Sequence, residues 1–284
     1  MTSSQSSSLA VVLMKSLTAA LRCIDQQSSI SDDCAHEARK QLKRARAALR
    51  LLRPGLGDEI YRRENQALRD VSRVVSPLRD ARAKLDILDT LRARHSRTLA
   101  AEELALLSMT LLKRLGQAHS RLQSGSRPVR KAIRMLRASQ RRLRNLLRQE
   151  APSRDLKKGM RKIYRRAQRT FEAAKAHPTP DSLHAWRRKT KYLDNAVGLL
   201  DVPKRSRLAM AQKRARCLGD WLGEEHDLVV LSEAIERDAG TTSPSVQRDL
   251  KAAIHNRFVK LCAKSLRLGA KTYARRPRKV VAGA

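Results

Sequence analysis

Between Arg127 and Gln149, arginines stand at 127, 130, 134, 137, 141, 144 and 148, in alternating steps of three and four. Val129, Ile133, Leu136, Leu143 and Leu147 run beside them. Only a helix gathers such steps onto one face, because strand side chains alternate with a period of two. The segment contains no Asp or Glu, so it lacks the i,i+4 ion pairs that ordinarily steady a cationic helix. Its apolar stripe must therefore be covered by other helices, and its guanidinium row must face water or an anion.

The same device recurs. From 154 to 169 the basic row is Arg154, Lys158, Arg161, Arg165 and Arg169. From 36 to 53 it is His36, Arg39, Lys40, Lys43, Arg46, Arg50 and Arg53, beside Ala38, Leu42, Ala45, Leu49 and Leu52. Strand signals are nearly absent, so the chain is expected to be all-α. Turn chemistry marks breaks at 54–57, 76–77, 123–128, 151–153, 177–181, 201–204 and 240–245, which leaves about ten helices with short connections. Thr179–Pro180 and Ser243–Pro244 each place a capping hydroxyl before a proline suited to the first helical turn.

The 62 Lys and Arg against 27 Asp and Glu give a formal charge of +35. A compact chain with that charge repels itself, and a polyanion relieves the repulsion. Nucleic acid, inorganic polyphosphate and an anionic membrane surface all meet the condition. Aromatic residues make up only 3%, which narrows the route of stacking bases on rings. Trp186 and Trp221, in Leu/Ala-rich surroundings, are expected in the core. Cys23, Cys34, Cys217 and Cys262 show no C-x-x-C pair or zinc spacing and are expected to be reduced and buried, with no metal site. The apolar run near the start contains Lys15 and lacks a basic leader, so it is expected to be a first helix. No stretch is read as approaching the roughly 18 apolar residues of a membrane span, and the expected location is the cytoplasm.

An internal duplication is the strongest long-range signal. H-E-A-R-K-Q-L-K at 36–43 answers H-A-W-R-R-K-T-K at 184–191, both reading H-x-x-R-[KR]-x-x-K. Each run continues to an apolar end, LRLL at 49–52 and VGLL at 197–200, and Asp80 and Asp227 follow their histidines at nearly the same distance. The expected organisation is a helical half over 1–125, a second over 126–270, and a basic disordered tail over 271–284. His36 and His184 each open a basic face, so neighbouring cations should disfavour the imidazolium and a bound phosphate should favour it. Asp80 and Asp227 are expected to orient nearby Arg or Lys side chains. The sequence G-E-E-H-D at 223–227 admits a metal or acid/base reading, but no phosphate-cradling loop, nucleophile elbow or H-E-x-x-H helix is present.

These paired motifs, the later R-D and H-D pairs and the basic composition resemble the conserved histidine α-helical domain family, CHAD, over about residues 9–270. The resemblance implies two four-helix bundles related by a pseudo-twofold, with a positively charged central cavity that binds inorganic polyphosphate. It also implies association with polyphosphate granules, no catalysis and no cofactor. His36, Arg39, Lys40 and Lys43 occupy the motif positions in the first copy, and His184, Arg187, Arg188 and Lys191 in the second. Arg46 and Arg50 continue the first track, while Arg134, Arg137, Arg141, Arg144, Arg161 and Arg165 are expected to add to it. Asp194 and Asn195 depart from the family pattern and are expected to shorten the second track. The rival expectations are a non-specific nucleic-acid binder and, behind it, a metal-dependent phosphoanhydride hydrolase built on G-E-E-H-D.

Overall fold

The computed structural model describes residues 3–25, 29–94, 101–149, 156–237 and 244–282. These form α1 (Ser3–Ile24), α2 (Asp32–Leu56), α3 (Asp58–Arg94), α4 (Ala101–Arg121) and α5 (Arg127–Gln149). They continue with α6 (Leu156–Ala176), α7 (Pro180–Val197), α8 (Arg207–Arg237), α9 (Pro244–Tyr273) and α10 (Pro277–Val281). No strand occurs among the described residues.

Local chemistry starts and stops the helices that carry the repeated motif. Ser31 Oγ accepts from the Cys34 amide at 3.2 Å, with Asp32 and Asp33 in the first turn of α2 to oppose the helix dipole. Thr179 and Ser182 exchange side-chain and backbone hydrogen bonds at the head of α7, and Pro180 takes the first turn. Gly57 ends α2 at φ +79°, a left-handed conformation open to glycine. Two expected breaks fall otherwise: Pro54 lies in the last turn of α2, and Pro77 lies inside α3. Ser76 Oγ donates to the Ser72 carbonyl at 2.8 Å just before Pro77, which itself has no amide to give the Arg73 carbonyl. The breaks expected at 151–153 and 240–243 lie outside the described residues.

Two sets of five helices pair in the same order. Helix α1 packs on α2, α2 on α3 and α3 on α4, with α5 returning to α1 and α3. Likewise α6 packs on α7, α7 on α8 and α8 on α9, with α10 returning to α6 and α8. The sets meet where α2 lies on α6 and α7, and where α3 touches α8. One continuous core runs through both, including Leu13, Leu42, Leu49, Leu136, Met160, Trp186 and Leu218. A smaller cluster of Leu85, Leu111, Leu228, Leu231, Ile235, Ile254 and Leu261 joins α3, α4, α8 and α9. Gly159 makes the α2–α6 crossing possible, because a Cβ there would stand 2.5 Å from the Leu51 carbonyl oxygen.

This packing corrects four expectations. Helix α5 belongs with the first set: Arg142 grips the fully buried Glu64 of α3 at 2.7 and 3.0 Å, and Ser139 Oγ donates to the same carboxylate at 2.6 Å. Helix α5, expected in the second half, thus sits against α1 and α3. The segment 271–284 is not a disordered tail through its described part. Tyr273, Val280 and Val281 are buried, and the Tyr164 hydroxyl donates to the Thr272 carbonyl at 2.8 Å. The Val280–Val281 pair supplies the apolar anchor that holds α10. Of the cysteines, Cys217 is exposed and the others are half-buried. Finally, Ser7–Ile24 of α1 is long and apolar enough to cross a membrane by composition. Here it lays Leu9, Leu13, Leu17, Ala20 and Ile24 into the core while Lys15 and Arg22 face outward.

Candidate functional site

Where α2, α3, α6 and α7 meet, they line a partly open chamber of about 370 Å³. Helix α2 contributes Arg46, Arg50 and Arg53; α3 contributes Tyr61, Asn65 and Arg69; α6 contributes Gly159, Lys162, Ile163 and Arg166; α7 contributes Arg188, Lys189 and Tyr192. That is eight cations, and none of the lining side chains among the described residues is a carboxylate. Steps of four and three along α2 set 46, 50 and 53 on one face. The bare backbone of Gly159 lets α6 close against it.

Several of these cations are held in place. Arg50 is 9% exposed, lies 3.6 Å from the centre of the Tyr192 ring and donates to the Arg46 carbonyl at 2.9 Å. Arg46 Nε donates to Asn65 Oδ1 at 3.0 Å. Arg53 clamps Asp58 with two bonds of 2.7 and 2.8 Å over the edge of the chamber, which holds that carboxyl down at about 2. Burial lowers Arg50, and burial with repulsion from Arg188, Arg166 and Arg50 lowers Lys189. Tyr192 reports the local field. Burial would push its phenol up, but Arg50, Arg46, Lys189 and Arg188 outweigh burial and hold it below its ordinary value. An environment that favours a phenolate favours a phosphate oxygen for the same reason.

A second polar seam lies along another face of α7, and it contains four of the eight residues of the repeated motif. Arg39 Nη1 donates to Asp80 Oδ1 at 3.0 Å and to the Ser76 carbonyl at 3.1 Å. Arg187, the matching residue of the second motif, lies against Gly223 and within reach of the charges on Asp227, Arg39, Asp220 and Glu225. Lys191 lays its stem on Gly219, close to Asp220, Asp194 and Asp227. Burial lowers both cations. His184 Nδ1 stands 3.3 Å from His226 Nδ1, so one ring donates to the other according to tautomer. Burial first, then His226, Arg187 and Arg188, push His184 down to about 4, and burial also lowers His226. Both shifts favour the neutral ring.

The structure sorts the residues singled out by sequence. Arg46, Arg50 and Arg188 line the chamber. Arg39, Arg187, Lys191 and His184 form the second seam with Asp80 and Asp227. Lys40 is paired to Glu37 at 3.2 Å, and His36 and Lys43 are exposed, so the two motif histidines have different surroundings. Arg161 and Arg165 do not line the chamber; Lys162 and Arg166 do. Met160, Ile163, Tyr164 and Ala167 are the buried side of α6, which turns the helix one residue from the expected face. Arg134, Arg137, Arg141 and Arg144 also lie outside the chamber, exposed on the outer side of α5, because its apolar stripe is turned towards α1 and α3. Arg137 there pairs with Asp25 at 2.6 Å. Asp194 does not enter the chamber; its Oδ1 faces Arg216 at 3.5 Å.

Sequence reasoning missed Tyr61, Asn65, Arg69, Lys162, Arg166, Lys189 and Tyr192. Tyr192, three residues after Lys189 and within the second basic run, carried a signal: an aromatic in a cationic helix is a natural partner for a guanidinium. The G-E-E-H-D run does not converge. Glu224 pairs with Arg257 at 2.7 Å, Glu225 is buried, and His226 meets His184. No group of three or more His, Cys, Asp or Glu placed to hold a metal occurs among the described residues.

Comparison with known proteins matches residues 14–236 to the CHAD domain. No curated protein matches the chain.

Proposed function

This chain belongs to the CHAD domain family, and on that premise we propose that it is a non-catalytic module that binds inorganic polyphosphate. The observation that carries the reading is the chamber: eight cations from α2, α3, α6 and α7 around about 370 Å³, with no carboxylate among the described lining residues. Guanidinium forks match phosphate oxygens two bonds at a time, and a thin flexible phosphate chain suits a recess of this size, which is too narrow for a duplex. Equal pairing order in the two sets of five helices supports an internal duplication about a pseudo-twofold. The chamber then corresponds to the family's basic central cavity. A chain leaving it towards His184 passes Arg187 and Lys191, and a phosphate there favours the imidazolium that burial opposes, so binding takes up protons. Asp80 and Asp227 hold Arg39 and Arg187 in position. In the cell this reading places the protein in the cytoplasm at polyphosphate granules.

Thermal melting tests the proposal. Long-chain polyphosphate at low salt should raise the melting temperature, as RT ln(1 + [L]/Kd) requires, by about 2.7 kcal/mol of stability at a hundredfold excess over Kd. Arg188→Gln with Lys189→Gln should remove most of the shift. An unmoved melting temperature in the parent protein overturns the reading. One observation favours weak nucleic-acid binding as a second activity: the exposed arginine row on the outer side of α5. Competition between duplex DNA and polyphosphate decides it, since DNA held on α5 should survive the paired chamber substitutions.

A further inference from the structure

We propose that the groove between α8 and α9 at Trp221 is a separate site for a nucleoside diphosphate or triphosphate, an inference that does not depend on polyphosphate binding in the chamber. The groove, about 280 Å³, is lined by Trp221, Lys260, Lys264, Arg267, Leu268 and Lys271 and shares no lining residue with the chamber. Trp221 is not sealed in the core as its sequence surroundings suggested. Its indole is half-buried, with Lys264 Nζ 3.9 Å from the ring centre. Trp186, by contrast, has no exposure at all.

The cations stand at steps of four, three and four on α9, one face about 16 Å long. Their charge is not balanced locally. After Asp249 the chain contains no Asp or Glu, while ten Lys and Arg follow. The nearby carboxylates of α8 are engaged elsewhere: Glu224 pairs with Arg257 at 2.7 Å, and Asp220 lies beside Arg187 and Lys191. None of the four groove cations has an ion pair among the described residues.

A bare phosphate chain gains nothing from an indole. A ligand that carries a flat base and several phosphates uses every group present. Its base stacks on Trp221, with Leu268 giving an apolar edge, and its phosphates meet the row of cations. Lys264 now occupies the face of the ring, but its four-carbon stem lets the ammonium swing aside and follow the phosphates. Base stacking on an aromatic side chain then supplies affinity that inorganic phosphates lack.

Titration with ADP, followed by tryptophan fluorescence, tests this. Because Trp186 is sealed, a saturable quench reports Trp221, and tripolyphosphate should not reproduce it. Calorimetry should show ADP affinity falling about tenfold in Trp221→Leu and in the exposed Lys264→Gln. Lys264→Gln keeps the test valid if Trp221→Leu disturbs packing. The paired chamber substitutions Arg188→Gln and Lys189→Gln should leave the quench intact. The proposal is overturned if ADP gives no saturable quench, if the chamber substitutions abolish it, or if tripolyphosphate binds the groove as tightly as ADP.

Discussion

Glu225 shows most directly how single residues on α8 are tuned. It is 2% exposed, its Oε2 has no hydrogen-bond partner among the described residues, and burial pushes it up to about 7 against the opposing pull of Arg187. A carboxyl raised in the folded state binds protons that the unfolded chain releases. Its contribution is fully present below its ordinary 4.5 and is lost as pH rises through about 7. His184 works in the opposite direction. Its pKa is lowered from 6.5 to about 4, so its contribution is present above 6.5 and is lost as pH falls. Subtracting parent from variant isolates the carboxyl: Glu225→Gln should be nearly neutral at pH 4.5. By pH 7.5 it should be stabilising, on the order of 2–3 kcal/mol. Denaturant midpoints across that range check it, and a constant difference at all pH values refutes it.

Among elements, the decisive contact is α2 on α6. Gly159→Ala would drive a methyl into the Leu51 carbonyl, and overpacking of this kind costs about 1–3 kcal/mol. Because Gly159 also lines the chamber, the variant should melt lower and bind polyphosphate less tightly, both readable in one thermal-shift series. Helix identity itself was legible in sequence, since the three-and-four spacing and the Thr179–Pro180 cap are local signals. Which neighbour each stripe meets was not. Helix α6 has cations at 161, 162, 165 and 166, two rows about 100° apart. Only the burial of Met160, Ile163 and Tyr164 against the rest of the molecule selects the row of Lys162 and Arg166. The strength of the α5 stripe was equally visible, but its attachment through Arg142 to a buried Glu64 far away in sequence was not.

For the molecule as a whole, a charge of +35 opposes the closed state. Salt should therefore act with two signs. Raising sodium chloride from low ionic strength should increase the melting temperature of the ligand-free protein by screening that repulsion. The same salt should shrink the polyphosphate-induced shift, because counterions released into a saltier solution gain less entropy. Parallel melts with and without polyphosphate across a salt series would show the two trends diverge, and trends of one sign would count against an electrostatic origin. The repeated H-x-x-R-[KR]-x-x-K motif was readable in the sequence, whereas the chamber depends on surfaces brought together from distant positions. Its walls come from both five-helix sets, so neither set owns a complete pocket. Without an occupant, guanidinium and ammonium groups on opposite walls push the sets apart; with one, both walls grip a common counter-ion. An anion seated there would act as a rivet across the chamber, added to the continuous core that the two sets already share.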